Sequence, residues 1–276
     1  MAVPTLTLAN GVELPQVGIG LDQVRDGDLA LSALAQAFQA GYRSIDTASS
    51  YGNEEYVGQA IRESSLPRSQ LYVTTKVPGA DHGRDATLRS FQRSLDRLGT
   101  DYLDQYLIHW PGKYLYVETW QALEELYQSG RVRAIGVCNF TIRHLERLAS
   151  ETSIVPMVNQ VEWHPYFQQP ELAAYCAERQ ILIEAWSPLM CGGDVLADPV
   201  IGKIAARVSR SPAQVILRWH VQSGRRVFPK STTASRILDN ISLFDFALSG
   251  DDMAAIDALG AQALRIGPDP DIFFMV

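Results

Sequence analysis

Apolar positions along this chain follow two periods, and the switch between them recurs from one end to the other. Short runs rich in Val, Ile, Leu and aromatic residues, bounded by Gly, Pro or polar residues, read as buried strands. Eight of them appear, at residues 17–20, 44–47, 71–77, 102–109, 134–138, 157–161, 182–186 and 226–229. Between them, apolar residues return every third or fourth position, which predicts helices. Leu88, Phe91, Leu95 and Leu98 form one such stripe. Trp120, Leu123, Leu126 and Tyr127 form a second, and Ile142, Leu145 and Leu148 a third. Ser211-Pro212 opens a further helix as N-cap and first-turn proline, and Gly224 closes it. Ser249 with Asp252 starts a late one. Ahead of all these, Asn10-Gly11 between residues 5–8 and 12–14 predicts a β-hairpin with a type I′ turn. Residues 78–83 and 190–199 read as surface loops.

Strands this apolar cannot face water, and their alternation with helices predicts an α/β fold. The expected architecture is a parallel (β/α)8 TIM barrel with helices outside and an N-terminal β-hairpin closing the bottom. The competing architecture is an open doubly wound sheet, which holds a dinucleotide on a Gly-rich turn after its first strand. The nearest candidate for that turn, Gly18-Ile19-Gly20, continues as Leu21-Asp22-Gln23 and lacks the third glycine. No linker, repeat or low-complexity tract divides the chain, so residues 1–276 are expected to form a single barrel domain.

Composition narrows the function classes. The hydrophobic fraction of 46% and charged fraction of 20% are those of an ordinary globular protein. A net charge of -7 provides no broad basic field for nucleic acid or an anionic membrane. An anionic ligand would therefore need a local cluster of donors. Cys138, Cys176 and Cys191 are too scattered for a disulfide framework or a zinc site, and they fit a reducing compartment. His82, His109, His144, His164 and His220 have no ligand-like spacing, so no metal is expected. Residues 1–15 lack the cationic start and apolar core of a signal peptide, and no apolar run nears the roughly 18 residues of a membrane helix. A cytoplasmic monomer is the expectation.

In a barrel of this type the loops after the strands form the working face. Polar groups stand at those ends: Asp46, Lys76, His109, Asn139, Gln160, Trp186-Ser187 and Lys230-Ser231. Any one of them has a bland explanation. Lys76 can be a lysine emerging from a strand, His109 a core histidine satisfied by backbone, Asp46 the cap of a turn, and Tyr51 a loop tyrosine at a helix start. Seven of the eight ends carry such groups, and that is harder to dismiss.

The run from Gly41 through Asp46 and Tyr51 to Gly58 resembles the first signature of the aldo-keto reductases. Further landmarks of that family follow in its order: residues 71–75 leading into Lys76, Tyr106-Leu107-Ile108-His109-Trp110-Pro111, and Ile135-Gly136-Val137-Cys138-Asn139-Phe140. Then come Val158-Asn159-Gln160-Val161-Glu162, Trp186-Ser187-Pro188-Leu189, and Pro229-Lys230-Ser231 with Arg236 and Asn240. The resemblance spans residues 17 to 246. Its compact loops are most similar to the bacterial and protist branch that contains 2,5-diketo-D-gluconate reductases.

This resemblance implies NADPH-dependent reduction of an aldehyde or ketone, with a small carbonyl compound as the only partner. Tyr51 is the implied proton donor, Lys76 the ammonium that lowers its pKa, Asp46 the group holding Lys76, and His109 the donor aimed at the substrate oxygen. Asn139 and Gln160 are implied to meet the nicotinamide carboxamide, Trp186 to stack on its ring, and Gly20, Leu21, Ser187 and Leu189 to follow the cofactor. Lys230, Ser231, Thr232 and Arg236 would grip the 2′-phosphate and ribose, and Asn240 the adenine.

Several positions depart from the family pattern. Asp239 stands where Glu is usual, and Cys138 where Ser is usual. Asp22 replaces an aromatic residue and Val77 a tryptophan, which, with Trp110, predicts a more open and polar substrate pocket. Trp163, Tyr166, Phe273 and Phe274 are aromatic candidates for the same wall, and residues 265–271 for a lid. Two rival classes stand beside the reductase: a cofactor-binding regulatory barrel with little turnover, and a barrel hydrolase. The Tyr51/Lys76 pair argues against the first, and the lack of metal ligands or paired carboxylates against the second.

Overall fold

A computed structural model describes residues 3–273. Strands β1 (Thr5–Thr7) and β2 (Glu13–Pro15) form the hairpin, in the register Leu6 opposite Leu14. Its turn differs from the sequence expectation. Leu8 and Val12 flank three residues, with Leu8 N donating to Val12 O at 2.9 Å and Gly11 N to Leu8 O at 2.9 Å. Only Gly11 has positive φ, so the loop is the three-residue type with a left-handed glycine, not a two-residue type I′ turn. Asn10 instead accepts a hydrogen bond from Val12 N through its side chain.

Eight parallel strands follow. They are β3 (Ile19–Gly20), β4 (Ser44–Asp46), β5 (Tyr72–Val77), β6 (Leu103–Ile108), β7 (Val132–Cys138), β8 (Val158–Glu162), β9 (Leu182–Trp186) and β10 (Arg226–Val227), each paired with the next in chain order. The ring is joined between its ends by parallel bridges from Val17 to Val227 and from Gly20 to Lys230. The seam is tight: a Cβ on Gly20 would lie 2.7 Å from the Phe228 carbonyl oxygen, which is why glycine stands there.

Helices α1 (Gly27–Ala40), α2 (Glu54–Glu63), α3 (Arg84–Leu98), α4 (Tyr116–Gln128), α5 (Ile142–Glu151) and α6 (Pro170–Glu178) each follow a strand. After β9 come two, α7 (Pro199–Val208) and α8 (Pro212–Gln222); α9 (Ala234–Ile241) and α10 (Gly250–Asp257) follow β10. The predicted stripes face the strands, with Phe91, Leu95, Leu98, Trp120, Leu123, Leu126, Leu145 and Leu148 all buried. Ser211 and Ser249 cap α8 and α10 through reciprocal bonds with Gln214 and Asp252. No helix among the described residues is long and apolar enough to cross a membrane.

The barrel interior is not wholly apolar. Ser44, Tyr72, Gln105, Glu184 and Arg226 are all buried there and hydrogen-bonded to one another. Alternation along each strand places these side chains inward while their neighbours pack under the helices. Val77 obeys the same rule. It lies fully buried in the hydrophobic core, on the opposite side of β5 from Lys76, and so takes no part in the substrate pocket assigned to it from sequence.

Candidate active site

The C-terminal ends of the strands surround a cavity of about 830 Å³. A chain of buried polar groups forms its floor. Lys76 rises from β5 with no exposed surface and donates from Nζ to Asp46 Oδ1 at 2.6 Å and to the Thr47 carbonyl at 2.9 Å. Its third contact is the Tyr51 hydroxyl, 3.5 Å away. Tyr51 stands on a short 3₁₀ turn after β4, and its ring meets His109 edge to face at 5.6 Å between centroids. Asp46, Tyr51 and His109 line the cavity, whereas Lys76 lies beneath it and reaches the opening through Tyr51.

Burial alone would lower the Lys76 pKa, but Asp46 and Tyr51 outweigh it and hold the ammonium above its usual range. For Tyr51 the balance runs against the sequence expectation. Burial pushes the phenol above its ordinary value, Lys76 pulls it back only partly, and Asp46 and Asp22 add to the rise. Tyr51 is therefore a loaded acid that keeps its proton through neutral pH. His109 is pushed down to about 3 by burial and by the Lys76 charge, so its imidazole is neutral and can offer an N–H. Ser50 Oγ lies 3.3 Å from His109 Nδ1, leaving Nε2 as the nitrogen free to point elsewhere.

Beside this group the amides are oriented by their own bonds. Asn139 donates from Nδ2 to the His109 carbonyl at 3.0 Å and accepts at Oδ1 from Trp186 Nε1 at 2.8 Å. Gln160 donates from Nε2 to Asp46 Oδ2 at 2.9 Å and to Glu184 Oε2 at 3.1 Å. Eight described residues other than glycine have positive φ, and four of them, Gln23, Asn139, Ser187 and Cys191, line the cavity. Strained backbone of this kind collects where a surface must be shaped for a ligand.

Further along the wall stand Gly20, Ser187, Leu189, Lys230, Ser231, Arg236, Asp239 and Asn240. Lys230 and Arg236 are exposed cations that form no ion pair within the described residues. Asp22, Cys138 and Trp110 also face the cavity. Leu21 does not: it is fully buried, and its backbone bonds to Asp46 and Asn53 instead. Thr232 is exposed but off the wall. Trp163 and Tyr166 are core residues, the one stacked under Arg225 and the other bonded to Asp198. Phe273 packs on Trp110 at 4.6 Å, and Phe274 lies outside the described residues. The C-terminal segment is tied to the end of β8, with Ile266 N and Gly267 N donating to Glu162 at 2.6 and 2.9 Å, and none of residues 265–271 lines the cavity.

Arg25, Ser50 and the Ser211-Pro212 start of α8 also stand on the cavity wall, outside the set of site residues expected from sequence. Ser50 carried a signal, since it adjoins Tyr51. The start of α8 was legible as a helix, but nothing in the chain near it indicated that its N-terminus faces the opening.

A family model described as the aldo/keto reductase family matches residues 16–261. The chain belongs to this family. Glyoxal reductase of Bacillus subtilis (strain 168) is 51% identical over 97% of this chain and 96% of its own length. Methylglyoxal reductase DkgA of Escherichia coli (strain K12) is 44% identical over 99% of each. Among solved structures, a mutant of Gox0644 in complex with NADPH superposes with a TM-score of 0.94 at 42% identity, covering 99% of both chains. For a barrel of this kind the cavity at the strand ends is where chemistry belongs, and reduction of a carbonyl compound is what the names of these two reductases describe.

Proposed function

We propose that this aldo-keto reductase reduces small aldehydes and 2-oxoaldehydes to alcohols, using NADPH, with Tyr51 giving up the proton. The observation that carries the reading is the Asp46–Lys76–Tyr51 chain, which ends at the cavity beside a neutral His109. When bound, NADPH supplies hydride to the carbonyl carbon. His109 then offers an N–H to the carbonyl oxygen and aims it, and Tyr51 transfers its proton to that oxygen as charge develops. Lys76, already charged, donates to the phenolate left behind. Asp46 keeps that ammonium fixed in place.

The residues present fit the cofactor. The free Arg236 guanidinium and Lys230 ammonium stand at the start of α9, where helix dipole and side-chain charge both favour phosphate. Asn139 retains an N–H, Gln160 retains its carbonyl oxygen, and Trp186 adds an aromatic face. Arg236→Ala should weaken NADPH by about 10- to 100-fold, the worth of one or two hydrogen bonds to a charged group, and leave NADH nearly unchanged. Titrating both cofactors by fluorescence decides this, and equal losses would move the 2′-phosphate elsewhere.

Asp22 bears on the substrate. Its carboxylate lines the cavity and acts on Tyr51, so an anionic substrate would meet repulsion at the reacting end. Neutral or cationic carbonyls are favoured over keto-sugar acids. Following NADPH absorbance with methylglyoxal, aromatic aldehydes and 2,5-diketo-D-gluconate side by side tests both the activity and this order. Asp22→Asn should raise kcat/KM for the keto-sugar acid relative to methylglyoxal by about fivefold, a modest shift because the mouth is solvated. Tight cofactor binding with no turnover of any carbonyl would favour a regulatory barrel.

A further inference from the structure

Below the cavity floor, Arg226 and Glu184 are wholly buried and joined at 2.5 Å. A buried ion pair is weak grounds for stability, because desolvating both charges offsets most of their attraction. What this pair holds points to another role. Glu184 Oε2 accepts from Gln160 Nε2, and the second hydrogen of the same amide goes to Asp46. Reversing the Gln160 amide would set its oxygen against two carboxylates at once. Its Oε1 is thereby turned away from both, has no partner among the described residues, and is not sealed from the cavity that Gln160 lines.

Glu184 cannot drift. Its carboxylate also accepts from Gln105 at 3.0 Å, and Arg226 is tied in turn to the Pro15 carbonyl at 2.9 Å and to Ser44 Oγ at 2.6 Å. Resting on the NADPH reading above, we propose that Glu184, braced by Arg226, is a positioning residue for the cofactor. It locks Gln160 with the carbonyl oxygen facing the cavity, and so selects a nicotinamide that presents a carboxamide N–H. A glutamine at position 184 would turn its oxygen to the Arg226 and Gln105 donors and its NH₂ to Gln160, opposing the orientation that Asp46 alone then favours.

The test is equilibrium binding by the full chain of three ligands: NADP⁺, its 3-acetylpyridine analogue, which has no amide N–H, and 2′-phosphoadenosine diphosphate ribose, which has no nicotinamide. The wild type should prefer NADP⁺ to the acetylpyridine analogue by about tenfold, since an unmade hydrogen bond to a fixed acceptor is costly. In Glu184→Gln the preference should shrink to less than about threefold, through weaker NADP⁺ binding alone. The ribose fragment should bind both proteins equally, which a general structural disturbance would not allow. The double variant Glu184→Gln/Arg226→Met should behave alike without leaving a buried guanidinium unpaired, and it stands in if the single variant does not fold. Retained wild-type discrimination in either variant, or equal weakening of all three ligands, overturns the proposal. A wild type that binds NADP⁺ without discriminating sinks the positioning role alone, whereas a wild type that binds none of the three removes the NADPH reading with it.

Discussion

Tyr51→Phe should lower the single-turnover reduction rate by about 10³-fold while NADPH affinity stays within about twofold of wild type. The size follows from what remains. General acid catalysis contributes roughly 10²–10⁴-fold, and no neighbour can replace the phenol as a proton source. His109, with its pKa near 3, carries no proton it can release at pH 7, and Lys76 is buried beneath Tyr51 and held charged by Asp46. Water entering the cavity would be the only donor left. Stability should change little, because the lost hydroxyl makes only a long 3.5 Å contact with Lys76, which keeps both its shorter bonds. Rapid mixing with excess NADPH and methylglyoxal measures the rate, and cofactor fluorescence the affinity. Turnover at the wild-type rate would take Tyr51 out of the mechanism.

The strand ends made this site readable from sequence. Asp46, Lys76, His109, Asn139, Gln160 and Trp186 each close an apolar run, and a barrel brings such ends to one face. Errors arose where the side chain's direction mattered more than its place in the chain. Val77 follows Lys76 and was assigned to the same pocket, yet consecutive strand residues point to opposite faces, so it is core. Leu21, next to the cavity-lining Gly20, likewise has a fully buried side chain. At the hairpin, Asn10-Gly11 carries the composition of a two-residue turn, but the pairing of Leu8 with Val12 fixes a three-residue loop.

The electrostatics were less legible than the positions. Lysine beside tyrosine argues for a lowered phenol pKa, whereas the folded site raises it, because burial depends on every strand around Tyr51 and not on its sequence neighbours. The Arg226–Glu184 pair was hidden for a related reason. Residues 226–229 read as an apolar strand, and the partner that makes a buried arginine tolerable sits 42 residues earlier on the adjacent strand.

Lys76→Met should separate activity from stability, since the lysine serves both. Removing it leaves Asp46 buried with Gln160 as its remaining side-chain partner, and breaking a buried pair costs about 3–5 kcal/mol. The Lys76 pKa lies above its unfolded value, so its stabilisation is complete below roughly pH 10.4 and fades only as pH rises through the folded value. The loss in Tm should therefore be the same from pH 6 to 9. Turnover should fall by about 10²-fold or more, because the departing proton leaves a phenolate with no ammonium to stabilise it. Without Lys76 the Tyr51 pKa rises further, so alcohol oxidation, which needs the phenolate as base, should gain less at a given alkaline pH than it does in wild type. The double variant Asp46→Asn/Lys76→Met decides between the two roles. It removes the orphaned charge and should recover most of the lost Tm, yet turnover should stay as low as in the single variant. Recovery of both together would mean that Lys76 supports the fold and leaves the proton transfer to Tyr51 alone.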